Sequence, residues 1–230
     1  MQPPLVNDEL DLLNAWVPLE QQHIIELGCG AAALSCQMLE RYPLCQVAGL
    51  EVDVRQHAKN LANPRERLTF VQAGAQAIPF EAARFDLALM LKSLHHVPLA
   101  LMDTALAEVH RVLRPTGLLY VSEPVFAGAL NDIMRLFHDE EQVRAAAVCA
   151  LQRAVASGAW LQEAELFFNV PVHYRDFADF QQRMMAVTYA DHRLDEATLQ
   201  QVRARFESHM GPQGADLLRP MRVNLLRKIQ

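Results

Sequence analysis

Short apolar runs and helical stripes alternate along the first half of the chain. An apolar run over residues 23–27 stops at Gly28, and a helical pattern follows over 31–42 with Leu34, Met38 and Leu39 on one face. Residues 46–52 then read as a strand, 55–62 as a helix and 68–72 as a third strand of β-branched and aromatic residues. A fourth apolar strand over 85–91 leads into a helix over 99–113, with Leu101, Ala105, Val109 and Val112 at helical spacing. Pro115, Thr116 and Gly117 form a turn before a fifth strand at 118–122. Strands that alternate with helices in this way predict a parallel, doubly wound sheet with right-handed crossovers.

Beyond Pro124 the rhythm changes. Residues 131–157 are largely helical, with Val143, Ala147, Leu151 and Val155 four apart, and read as an insertion after strand five. A strand is expected at 165–174, helices at 177–189 and 196–209, and an antiparallel closing strand at 221–229. The expected fold is α/β: a mostly parallel, seven-stranded, doubly wound sheet.

Composition narrows the partners. The chain has 230 residues, 51% hydrophobic and 21% charged, with a mean hydropathy of +0.01, as in ordinary globular proteins. The formal net charge is -6 and the only lysines are Lys59, Lys92 and Lys228, so no basic stripe exists to neutralise phosphates. Nucleic acid is therefore not an expected partner. Asp8, Glu9, Asp11 and Glu20 occupy the place of a basic leader segment, and charges such as Glu26 and Glu123 interrupt every long apolar run. The expectation is a cytoplasmic protein with no membrane partner; no feature of the sequence specifies an oligomer. Cys29, Cys36, Cys45 and Cys149 form no CxxC pair and are expected to be reduced.

The chemistry lies in the turns after the strands. In an open α/β sheet, ligands bind outside the carboxyl ends of the strands where strand order reverses. The first turn reads Glu26-Leu27-Gly28-Cys29-Gly30-Ala31-Ala32-Ala33, whose glycines permit a sharp bend and close ligand approach. The second strand ends at Glu51, 21 residues after Gly30, a spacing that suits a ribose-diol acceptor. With Ala33 in the last position, the run also satisfies the dinucleotide fingerprint of nicotinamide and flavin enzymes. Glu26 discriminates, since a carboxylate there repels a pyrophosphate but suits a cationic ligand such as S-adenosylmethionine.

Residues 23–123 resemble the class I S-adenosylmethionine-dependent methyltransferase family, in its small-molecule branch. The resemblance rests on residues 24–30, on 47–51, on 76–80 with 85–87, on Leu94-His95-His96-Val97, and on 111–117, in order and at workable spacing. It implies a Rossmann-like core over 1–125 that binds S-adenosylmethionine. A helical substrate-side lid with strand six is expected over 126–215 and a closing strand over 216–230, all within one domain. By the resemblance, Glu26, Gly28, Cys29 and Gly30 surround the methionine part. Glu51 accepts the ribose hydroxyls, Val52 packs on the adenine, Ala75 and Gln76 lie by its edge, and Leu91 and Lys92 approach the methionine through their carbonyls. The chain departs from the family twice. Ala32 stands where a third glycine is usual, and is expected in the first helical turn at negative φ. Gly74 stands where an aspartate usually contacts the adenine amino group, a bond that Gln76 or a water could replace.

The partner implied is a small-molecule methyl acceptor. Methyltransferases of planar amino nitrogens carry an Asn/Asp-Pro-Pro-aromatic run after strand four, whereas this chain has Leu91-Lys92-Ser93-Leu94. That leaves an oxygen, carbon, sulfur or simple amine acceptor. No catalytic residue is determined; His95, His96, His138 and His192 are the candidates. Adjacent side chains such as His95 and His96 are expected to diverge, which favours packing over a metal site, and no metal is expected. The segments 131–157 and 177–209, with Phe126, Met134, Phe137, Met184, Met185 and Tyr189, are expected to roof the acceptor site. A nucleotide-dependent oxidoreductase and a non-catalytic binding module of the same fold remain open.

Overall fold

A computed structural model describes residues 2–185 and 194–229. Its strands form one seven-stranded sheet in the order β3-β2-β1-β4-β5-β7-β6. They are β1 (His23–Leu27), β2 (Gln46–Glu51), β3 (Leu68–Gln72), β4 (Phe85–Leu91), β5 (Leu113–Pro124), β6 (Trp160–Tyr174) and β7 (Ala215–Lys228). β1 to β5 pair in parallel, with Glu26 facing Gly49 of β2 on one side and Leu89 of β4 on the other. The last strands run antiparallel. Strand order reverses at β1, so the carboxyl ends of β1 and β4 bound the expected crevice.

The helices are α1 (Glu9–Trp16), α2 (Ala33–Arg41), α3 (Val54–Leu61), α4 (Met102–Val112), α5 (Ala129–Met134), α6 (Glu141–Ala156), α7 (Phe177–Met184) and α8 (Glu196–Glu207). Side chains start several of them: Asp8 accepts from Leu10 N–H, Asp53 from Arg55 N–H, Asp176 from Asp179 N–H and Asp195 from Thr198 N–H. Each satisfies a backbone donor that the first turn leaves unpaired.

Two compact units interleave along the chain, one of residues 8–123, 143–166 and 222–230, the other of 1–7, 124–142 and 167–221. The first is built on β1, β2, β4 and β5, whose Ile25, Leu50, Ala88, Met90 and Val121 share one buried cluster with Leu106 and Val109 of α4 and Ala147 and Leu151 of α6. The second closes on Tyr174, Phe177, Phe180 and Phe206, with ring centroids as close as 4.9 Å.

These units are divided elsewhere than at the expected position 125. Residues 143–166, expected in the lid, belong to the first unit, because the four-residue apolar spacing of α6 buries against the sheet. Met134, Phe137, Met184 and Met185, expected as pocket lining, pack on the aromatic core of the second unit. The strands after Pro124 are also longer than their alternation suggests, since β6 starts at Trp160 and β7 at Ala215. Interspersed charges mask both in the sequence: β6 alternates buried and exposed positions only irregularly. Tyr189 and His192 lie outside the described residues. Among those described, no helix is long and apolar enough to cross a membrane.

Candidate functional site

The turn after β1 is wound through three residues of positive φ, Gly28 at +69°, Gly30 at +53° and Ala32 at +54°. This corrects the expectation for Ala32, which is not in the helix but caps α2 in the left-handed conformation without a side-chain hydrogen bond. An L-residue there is strained by roughly 1–2 kcal/mol, which explains why glycine is usual at this position. The two glycines serve different ends. A Cβ on Gly28 would lie 2.8 Å from Ser93 Cβ, whereas one on Gly30 would meet nothing within 4 Å. Gly28 is thus fixed by packing and Gly30 faces open space.

Two carboxylates frame this turn. Glu51, buried at the end of β2, accepts from Gly30 N–H with Oε2 and from Asp53 N–H with Oε1, both at 2.8 Å. It therefore sets the turn after β1 from the neighbouring strand. Glu26 is buried at the end of β1 and accepts from Ser35 Oγ on α2. Burial pushes its carboxyl up to about 7, against the opposing pull of the Ser35 hydrogen bond and the nearby Lys92 ammonium, while Glu51 adds a further upward push. Near neutral pH Glu26 is poised between its two forms.

Cys29 is buried between the glycines, and burial together with the two carboxylates raises its thiol far above the ordinary range. It is no nucleophile. Asn60 of α3 donates to the Gly30 carbonyl at 2.8 Å. Val52 exposes 63% of its surface although its neighbour Glu51 is 7% exposed, so an apolar side chain stands uncovered beside the ribose-spaced carboxylate. Ala75 is buried in the main core, and Gln76 folds its amide over Gly74.

Beyond β4, Leu91 closes the strand and Lys92 takes a φ of +54°, its N–H donating to the Ser122 carbonyl at 2.7 Å. The next residues form a 3-10 turn, Leu94–His96, fastened by Glu123 at the end of β5. Oε1 of Glu123 accepts from Ser93 N–H at 3.1 Å and Leu94 N–H at 2.8 Å, and Oε2 pairs with Nδ1 of His95. Ser93 Oγ in turn donates to the Leu27 carbonyl at 2.7 Å. The end of β5 thereby holds the loop that packs on Gly28.

His95 is buried with Glu123, while His96 is exposed. Their rings do not diverge as expected: the centroids are 4.1 Å apart, because the tight 3-10 turn replaces the regular helix start. His138 belongs to the second unit, where its Nε2 lies 2.9 Å from Glu140 Oε1. His192 lies outside the described residues. The structure thus brings Glu26, Gly28, Cys29, Gly30, Glu51, Val52, Gln76, Leu91, Lys92 and His95 into one unit. Sequence reasoning missed Ser35 and Asn60, polar residues whose only signal is a place on the inward faces of α2 and α3, where both are buried.

Residues 25–121 match a family model described as a methyltransferase domain. The chain is similar to the O-methyltransferase cnsE of Penicillium expansum, 32% identical over 115 residues, 47% of this chain and 40% of that protein. It is also similar to the ubiquinone/menaquinone biosynthesis C-methyltransferase UbiE of Allorhizobium ampelinum, 38% identical over 80 residues, 35% of this chain and 30% of that protein. A malonyl-[acyl-carrier protein] O-methyltransferase of Geobacter sulfurreducens is 32% identical over 103 residues, 44% of this chain and 38% of that protein. The matched stretch spans less than half of each relative's length. Among solved structures, the YcgJ protein of Bacillus subtilis superposes with a TM-score of 0.66 at 15% identity, covering 96% of this chain and 97% of that one. The [4+2]-cyclase SpnF superposes with a TM-score of 0.61 at 20% identity, covering 95% and 79%. At such identities these two establish the fold alone.

Proposed function

We propose that this chain, whose residues 25–121 match a methyltransferase-domain model, is a class I S-adenosylmethionine-dependent methyltransferase that transfers a methyl group from S-adenosylmethionine to an oxygen, carbon, sulfur or simple nitrogen atom of a small molecule. The observation that carries the reading is the pair of buried carboxylates, Glu26 and Glu51, around a glycine turn whose Gly30 faces open space. Glu26 at a phosphate-type turn opposes a pyrophosphate and favours a cationic ligand, and Glu51 suits a ribose diol. The residues present fit that ligand: Glu26 for the ammonium, Glu51 for the diol, Val52 for a face of the adenine and Gln76 for its edge.

When bound, S-adenosylmethionine supplies an electrophilic methyl group on a leaving neutral thioether, the acceptor lone pair forming the new bond as the carbon–sulfur electron pair stays on sulfur. The protein's part is binding and orientation. Glu51 fixes the Gly30 amide, Ser93 and Glu123 brace the facing loop, and the buried Glu26 answers positive charge at a place where water does not screen it. His95, oriented through Nδ1 by Glu123, is the group best arranged to take a proton from an acceptor that must ionise. The names of the relatives, which include O- and C-methyltransferases, support a small-molecule acceptor.

Native mass spectrometry of the purified protein tests this reading. A bound mass equal to S-adenosylmethionine or S-adenosylhomocysteine, displaced by adding the other, is the expected result. A bound nicotinamide or flavin nucleotide would refute it.

A further inference from the structure

An arginine in the first unit lacks the partners its burial calls for. Arg222, on β7, is half-buried, and its Nε is enclosed with no hydrogen-bond acceptor. Among the described residues its guanidinium forms no hydrogen bond and no ion pair. Such donors are rarely left unmet inside a protein, and the exceptions are commonly met by water or a ligand. Two residues along the same strand, and so on the same face, Asn224 is buried with its Oδ1 unpaired while its Nδ2 donates to Glu165 at 3.0 Å. An unmet cationic donor and an unmet acceptor thus stand on one face of β7.

The surroundings give this pair its direction. Burial draws the Arg222 guanidinium below its ordinary range, and the carboxylates of Glu123 and Glu165 pull it back. Neither is free to close on it: Glu123 is engaged with Ser93, Leu94 and His95, and Glu165 is exposed and takes Asn224. Glu123 holds the loop that packs on Gly28, and the bond from Val125 N–H to the Pro220 carbonyl at 2.9 Å sets Arg222 of the antiparallel β7 across from Glu123.

We propose that Arg222 anchors an anionic oxygen group of the methyl acceptor, a carboxylate or phosphate, with Asn224 Oδ1 accepting from a hydroxyl or N–H on the same molecule. The proposal rests on the methyl-transfer reading and narrows it to acidic acceptors. A planar guanidinium suits such groups because it offers two parallel N–H bonds to two oxygens.

The test follows the Arg222 Nε–H resonance by nitrogen-15 NMR, assigned from its loss in Arg222→Lys, in protein saturated with S-adenosylhomocysteine. Benzoate, inorganic phosphate and neutral benzamide are titrated separately. The expected result is a saturable shift of that resonance with one or both anions and none with benzamide, with anion affinity at least tenfold weaker in Arg222→Met. A response to benzoate alone identifies a carboxylate acceptor, and one to phosphate alone a phosphorylated one. If neither anion moves the resonance while S-adenosylhomocysteine still binds, water satisfies the guanidinium and the proposal is overturned. Failure of S-adenosylhomocysteine to bind the wild-type chain would instead overturn the methyl-transfer reading.

Discussion

The side-chain amide of Gln76 occupies the space that a side chain on Gly74 would fill, for a Cβ at Gly74 would lie 2.4 Å from Gln76 Oε1. The missing side chain at 74 and the fold of Gln76 are therefore one exchange: no side chain stands at 74 and a longer one folds into its place. Because an amide offers both a donor and an acceptor, it can meet an adenine edge as well as an aspartate can. Gln76→Ala should weaken S-adenosylhomocysteine binding by about 0.5–1.5 kcal/mol. Adding Gly74→Asp to Gln76→Ala should recover most of that loss. Calorimetry on the two variants checks this, and additive losses would show that the positions act independently.

Glu51 and Asp53 separate in the same way by experiment. Glu51→Ala removes a carboxylate that sets the Gly30 amide and that, in the proposed function, accepts the ribose diol, so cofactor affinity should fall by about 1.5–3 kcal/mol. Asp53 caps α3 through Arg55 N–H, so Asp53→Ala should lower thermal stability by about 0.5–2 kcal/mol with a smaller effect on affinity. Paired melting and binding curves distinguish them.

Glu26 makes both stability and binding depend on pH. Its carboxyl is raised from 4.5 to about 7 in the fold, so between those values the folded state holds a proton that the unfolded state has lost. Stability without ligand should therefore fall as pH rises through that window, by about 3 kcal/mol if the whole shift is expressed. Cofactor affinity should move the other way, strengthening as pH rises through 7, because the cation favours the ionised carboxylate. Glu26→Gln should flatten both profiles. Denaturant melts and calorimetry from pH 5 to 8 provide the comparison.

At Ala32 the expected sign is unusual. In a helix interior Ala→Gly costs about 1 kcal/mol, but at a φ of +54° the strain released on going to glycine, roughly 1–2 kcal/mol, exceeds the about 0.8 kcal/mol held by one buried methyl group. Ala32→Gly should therefore leave the protein as stable or slightly more so. A melting temperature several degrees lower would mean that the residue is helical after all.

Much of this site was legible in the sequence because each part is local. Gly28, Gly30 and Glu26 share one turn, and Glu51 is set by strand spacing. The conformation of Ala32 was not legible, because its small side chain suits a helix and the left-handed cap accompanies a turn closed from Ala32 N–H to the Cys29 carbonyl at 2.8 Å. Asn60, Ser35 and the Glu123 brace depend on contacts across 9 to 31 residues, and ordinary polar residues on helices carry no mark of such contacts. In the second half, α6 read as part of a lid, because its apolar stripe reveals that it is buried without revealing what buries it.

Isothermal calorimetry of the purified chain with S-adenosylhomocysteine, NADH and FAD in separate titrations tests the central claim most directly. The prediction is one saturable site for S-adenosylhomocysteine, lost or greatly weakened in Glu51→Ala, and no heat of binding from either dinucleotide. At 100 times its dissociation constant the ligand should also stabilise the fold by about 2.7 kcal/mol. Saturable binding of NADH or FAD without binding of S-adenosylhomocysteine would contradict the account.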